Sequence, residues 1–151
     1  MSSQLIKSQR ENAEIYHGED LCRQKFHELL EYFSLPRGIL PLDITEFGYN
    51  QSTGFFWLKQ KNKKAHKFHL INRTLHYDTE VTAFIEKGRV RNITGVKGKE
   101  LCAWFHLATI HIKDPSSGKV ELAIASGLGN SFPVRAFELE DDKDDRQNNR
   151  N

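Results

Sequence analysis

Hydrophobic and polar residues alternate with a period of two through the middle of the chain. Phe68 and Leu70 alternate with Lys67 and His69. Beyond Asn72 and Arg73, the series Leu75, Tyr77, Thr79, Val81, Ala83 and Ile85 alternates with Thr74, His76, Asp78, Glu80 and Thr82, and Phe84 is the one apolar residue on the wetter parity. Such alternation predicts strands with one buried and one solvated face. A two-residue turn at Asn72 and Arg73 sets Phe68 opposite Tyr77 and Leu70 opposite Leu75. The same register brings His69 against His76 and Lys67 against Asp78.

The pattern upstream is different. Residues up to Tyr16 are polar enough for a loose helix or mobile arm (1–12). Asp20 then suits the N-cap of a helix running to Phe33. Cys22, Phe26, Leu29, Leu30 and Phe33 recur on one helical face, and Leu35, Pro36, Arg37 and Gly38 stop it. Short strands follow at 47–50 and 55–61, around the turn 51–54. Further strands are predicted at 90–94, 100–113 and 119–125, the last two joined by Asp114-Pro115-Ser116-Ser117-Gly118. That turn pairs Ile112 with Val120, Ile110 with Leu122 and Ala108 with Ile124, and sets His111 beside Glu121. A final strand at 132–139 is assigned to an edge by Pro133. About eight strands after one helix indicate a mainly β domain over 13–139, an antiparallel pseudobarrel or two packed sheets preceded by an amphipathic helix.

Composition narrows this little. The 151 residues are 38% hydrophobic, with ten Phe, enough for one core despite a mean hydropathy of -0.62. Two cysteines without CxxC spacing exclude a disulfide framework and a zinc finger, and fit a reducing compartment. No signal-peptide core precedes the domain, and no apolar run approaches the ~18 residues of a membrane span. A soluble cytoplasmic protein is expected. Net charge is +2, and residues 140–151 carry five acids against three bases; that almost wholly polar tail reads as disordered.

Catalytic signals are poor. No GxSxG elbow is present, and Ser126-Gly127-Leu128-Gly129-Asn130-Ser131 precedes a strand rather than the helix a phosphate cradle requires. His69 and His76 with Asp78 nearby would supply part of a metal site, but two histidines on a partly wet face need no metal. No catalytic residue, metal or cofactor is therefore assigned. The informative stretch is Phe55-Phe56-Trp57-Leu58, followed by Lys59, Lys61, Lys63, Lys64 and Lys67. Pairing Lys59 with Lys67 turns Phe56, Leu58, Phe68 and Leu70 inward. It leaves Phe55, Trp57 and His69 outside among the lysines, a face needing a cover or a partner. The helix 20–33 is one cover; an amphiphilic ligand or an anionic membrane surface is the alternative. Nucleic acid fits less well with so small a net charge.

Several stretches carry a family resemblance: AEIYHGEDLC at 13–22, LPRGILPLDITEFGYNQSTGFFWLKQK at 35–61, YDTEVTAFIEKGRV at 77–90, GVKGKELCAWF at 95–105 and SGLGNSFPVRAFE at 126–138. Together they resemble a plant family catalogued as domain of unknown function 538, in its subgroup without a signal peptide, similar to the "smaller with variable branches" proteins of trichome development. The resemblance implies a helix followed by an all-β pseudobarrel. It also implies links to stress response and development, and proposals of lipid binding and of chlorophyll binding or hydrolysis. The expectation is a non-enzymatic binder of a lipid or chlorophyll-like ligand. Phe55, Trp57, Tyr77, Trp104 and Phe105 would give apolar contact, Lys59, Lys61 and Lys67 would hold a head group, and His69 and His76 would lie alongside. An ester hydrolase, using Ser126 or Ser131 with His106 and Asp78, and a protein-interaction scaffold are the alternatives.

Overall fold

The computed structural model describes residues 2–139, without the side chain of Ser2; the acidic tail at 140–151 lies outside the described residues. In chain order the elements begin with α1 (Ser2–Gln9), a 3-10 turn (Arg10–Asn12), β1 (Glu14–His17) and α2 (Glu19–Tyr32). Then come β2 (Ile44–Asn50), β3 (Phe55–Gln60), β4 (Lys64–Phe68), β5 (Arg73–Glu86), β6 (Arg89–Glu100), β7 (Ala103–His106), β8 (Thr109–His111), β9 (Lys119–Ala123) and β10 (Gly129–Pro133). A 3-10 turn, Val134–Phe137, ends the described fold.

Among the described residues these ten strands form one antiparallel sheet that does not close, with β1 and β10 at its two ends. Two strands beyond those expected appear because β1 falls in the segment before α2 and because 100–113 splits into β7 and β8. The long hairpin β5–β6 organises the sheet, turning at Gly88 with φ +69. On one half of this ribbon β3 pairs with β5 and β8 with β6; on the other half β4 pairs with β5 and β7 with β6. The halves meet where pairing is irregular between Tyr77 and Thr82, opposite Gly95 with φ +84. A side chain at Gly95 would put Cβ 2.3 Å from the Glu80 carbonyl oxygen, so this bulge requires glycine.

The expected pairing of β4 with β5 is shifted by four residues. Tyr77 faces Lys64 rather than Phe68, Phe68 faces Arg73, and residues 69–72 form the loop, with Asn72 at φ +52. Because the shift is even, it preserves the inward parity of Phe68, Leu75 and Tyr77, all buried. Leu70 is carried out to solvent, His69 no longer faces His76, and Lys67 faces Thr74 instead of Asp78. Nor does β3 pair with β4. It lies between β2 and β5, with Phe55 opposite Phe84 and Lys59 opposite Glu80. The hairpin of β8 and β9 has the expected register, Ile110 opposite Leu122 and His111 opposite Glu121.

α2 is capped by Gly18 rather than Asp20, and Glu19 and Asp20 fall in its first turn, where carboxylates complement the helix dipole. It buries Cys22, Phe26 and Leu30, and Phe26 meets Phe47 and Phe56, each with ring centroids 5.5 Å apart. Leu35, Ile39, Leu40 and Leu42 then cross the core as an apolar strap. The Gly38 N–H donates to the Phe137 carbonyl at 2.8 Å. Phe137 in turn packs on Phe68 at 4.8 Å, joining strap, C-terminal turn and β4. The last strand is an edge, as Pro133 implies, but it ends there instead of running to Leu139.

Candidate functional site

Phe55 and Trp57 do point away from the main core, but they are fully buried. The expected outward aromatic patch is corrected by its cover, which is α1 and β1 rather than α2. Ile6 completes a second apolar cluster with Phe55 and Trp57, and Leu5, Ala13, Ile15 and Phe84 pack against it. Phe84, the odd residue of the wet parity, is thereby accounted for: its ring lies 5.3 Å from that of Phe55. The segment expected as a loose helix or a mobile arm forms the helix α1 and is held by side chains. Asn50 Nδ2 donates to Gln9 Oε1 at 2.8 Å, and Thr53 Oγ1 donates to the same oxygen at 2.9 Å.

Glu46 closes this second cluster. It accepts from Trp57 Nε1 at 2.8 Å and lies within 3.5 Å of Arg10, 3.6 Å of Lys59 and 3.7 Å of His17. Burial pushes its carboxyl pKa up. The hydrogen bonds from Trp57 and Arg10 and the charges of Lys59 and Arg10 outweigh that, holding it below the usual carboxylate range. Lys59 is thus committed to Glu46 rather than to a head group. Tyr77 is also withdrawn from the expected set: it is 1% exposed, with its hydroxyl directed at the Ile39 carbonyl.

The open region lies at the other half of the ribbon. Among the described residues β4 pairs only with β5, β7 only with β6 and β10 only with β9. Between them is a cleft of about 960 Å³. Its apolar lining includes Phe68, Leu75, Phe105, Leu107, Leu122 and Phe132. Asn72, Arg73, His76, Lys99, Glu100 and Asn130 supply the polar groups. Arg73 and Glu100, on the paired strands β5 and β6, form an ion pair in its lining, and the Arg73 guanidinium lies 5.9 Å from the Phe132 ring centroid. Beside the cleft, Trp104 meets His76 edge-to-face at 5.0 Å, with the ammonium groups of Lys97 and Lys99 at 4.6 and 5.6 Å from its ring.

Of the expected contact residues, His76 and Phe105 line this cleft and Trp104 stands next to it. Lys67 and His69 line a smaller pocket of about 100 Å³ near Gly38 and Pro41. Lys61 is exposed in the turn between β3 and β4. Arg73, Leu107, Leu122 and Phe132 were not singled out from the sequence. They come from four separate segments, and only the fold brings them together. Leu101 and Leu128, isolated among turn residues, were the available signal.

Neither Ser126 nor Ser131 hydrogen-bonds to a histidine among the described residues; the Ser126 hydroxyl instead accepts from the Leu128 N–H at 3.4 Å. No group of three His, Cys, Asp or Glu among the described residues is arranged to hold a metal ion. Among the described residues, no helix is long and apolar enough to cross a membrane. Neither a curated protein nor a solved structure matches the chain. A family model does, over residues 26–138, from within α2 to just past the C-terminal 3-10 turn. The chain therefore belongs to the family described as "Protein of unknown function, DUF538".

Proposed function

We propose that this protein is a non-enzymatic, cytoplasmic binding module for an apolar or amphiphilic ligand, a lipid or a chlorophyll-like ester, taken up in the cleft between β4, β7 and β10. The observation that supports this is the cleft's size and chemistry. At about 960 Å³ it falls at the upper end of the ~300–1,000 Å³ of small-molecule sites. Large apolar side chains line it together with charged and amide groups, Arg73, Lys99, Glu100, Asn72 and Asn130 among them. Phe105, Leu107 and Leu122 would contact a chain or ring. Lys99 and Asn130 would meet a carboxylate, phosphate or ester oxygen. The contact surface expected at Phe55 and Trp57 is thereby moved to the opposite half of the sheet.

The test is uptake of a fluorescent anthroyloxy fatty acid. Saturable emission enhancement is expected. It should weaken about tenfold in Leu122→Gln and in Phe105→Ser, each removing roughly the burial of one large apolar side chain. Lys61→Gln, on the exposed turn, should titrate like the wild type. No uptake, or uptake indifferent to both cleft variants, rejects this reading.

A further inference from the structure

Six large hydrophobic side chains are exposed among the described residues, and four of them gather at the cleft end: Leu70, Leu101, Trp104 and Leu128. Scattered exposed leucines need no explanation, but these are not scattered. Leu70 sits in the β4–β5 loop beside Ile71, a cleft residue. Leu101 tips the β6–β7 hairpin, and Leu128 tips the β9–β10 loop. They are 55%, 96% and 73% exposed, so three loops around one opening each end in a leucine.

Two further observations indicate what these tips meet. At the β6–β7 turn both central residues, Leu101 (φ +50) and Cys102 (φ +68), are left-handed, a conformation for which Asn-Gly is the usual choice. A bulky apolar side chain is kept outward there against backbone preference. The surrounding charge is also one-sided. Residues 67–76, 97–106 and 124–132 contain Lys67, Arg73, Lys97 and Lys99 against the single acid Glu100, and Glu100 is paired with Arg73. Apolar tips beside lysines and a half-exposed tryptophan match the chemistry of an anionic bilayer interface: side chains enter the acyl boundary while ammonium groups stay at the phosphates.

We infer that the leucine-tipped rim (Leu70, Leu101 and Leu128, with Trp104, Lys97 and Lys99) is a docking surface for an anionic membrane, setting the cleft mouth against the bilayer. This rests on the cleft reading for what would be exchanged there, but docking itself is measured separately. The full chain is floated with phosphatidylcholine vesicles, with or without about one third phosphatidylserine. Wild type is expected to float with the anionic vesicles and to detach in high salt. Leu70→Asn, Leu101→Asn and Leu128→Asn combined should cut partitioning by more than about tenfold, and Asn suits the left-handed backbone at position 101.

Leu70→Asn with Lys97→Glu, neither residue lining the cleft, should lose flotation yet still take up the anthroyloxy fatty acid in vesicle-free buffer. Wild-type protein that stays unbound, or a triple variant that floats as well as wild type, overturns the docking surface. Uptake of the fatty acid by the wild-type protein in vesicle-free buffer would leave the cleft reading standing, and absence of uptake there would remove it independently.

Discussion

Replacing Trp57 by alanine distinguishes a sealed second core from a ligand-contact surface. Trp57 is 0% exposed, packed with Phe55 and Ile6, and hydrogen-bonded to Glu46. Truncating a fully buried aromatic side chain costs about 3–5 kcal/mol, a large share of the ~5–15 kcal/mol that holds a domain folded. With a urea dependence of roughly 1–3 kcal/mol per molar, the unfolding midpoint should fall by on the order of 2 M. Trp57→Phe isolates the polar part: most packing survives, but the N–H to the Glu46 carboxylate is lost, costing about 1.5–3 kcal/mol. The assay is urea unfolding followed by far-UV circular dichroism, which does not rely on the deleted fluorophore. Deleting residues 2–12 should uncover the same cluster, red-shifting tryptophan emission and lowering the midpoint. A Trp57→Ala protein within about 1 kcal/mol of wild type would refute the buried assignment, since an exposed ring costs little to remove.

Three other outcomes are expected. Glu46 has a folded pKa below its ordinary value, so its stabilising contribution is present in full above the unfolded pKa of about 4 and disappears as pH falls through the folded one. The wild-type unfolding midpoint should therefore drop more steeply below about pH 4 than that of Glu46→Gln, as thermal melts across acid pH would show. Gly48 lies opposite Trp57, and a Cβ there would stand 2.1 Å from the indole ring, so Gly48→Ala should cost about 1–3 kcal/mol by urea titration. Replacing Leu101 and Cys102 by Asn and Gly should raise stability by about 1–2 kcal/mol, because both positions are left-handed, while reducing vesicle flotation.

Much of the fold is legible in the chain itself. The 3.6-residue stripe of Cys22, Phe26 and Leu30 predicts α2 and its buried face, and alternation predicts β5 with its inward Leu75, Tyr77 and Val81. The register of β8 against β9 follows from the short turn at Asp114 to Gly118. The β4–β5 register does not follow from its apparent turn. An even slide keeps every side chain on its proper face, so hydrophobic patterning alone cannot choose between the two registers. The cover over Trp57 was hidden for a different reason. α1 is polar overall, and only Ile6 and its neighbour Leu5 reach the cluster, too few for a periodic signal. The cleft was least legible of all. Its lining is assembled from residues of β4, β5, β6, β7, β9 and β10 and the loops between them, a property of sheet topology rather than of any one segment.

The central claim is that an amphiphile occupies the cleft between β4, β7 and β10, not the face of β3. Photocrosslinking with a diazirine fatty acid, followed by peptide mapping, tests this most directly. Saturable labelling of residues 68–75, 105–107 and 122–132, competed by unlabelled fatty acid, is the predicted result. Competable labelling concentrated on residues 55–61, or none at any position, would contradict it.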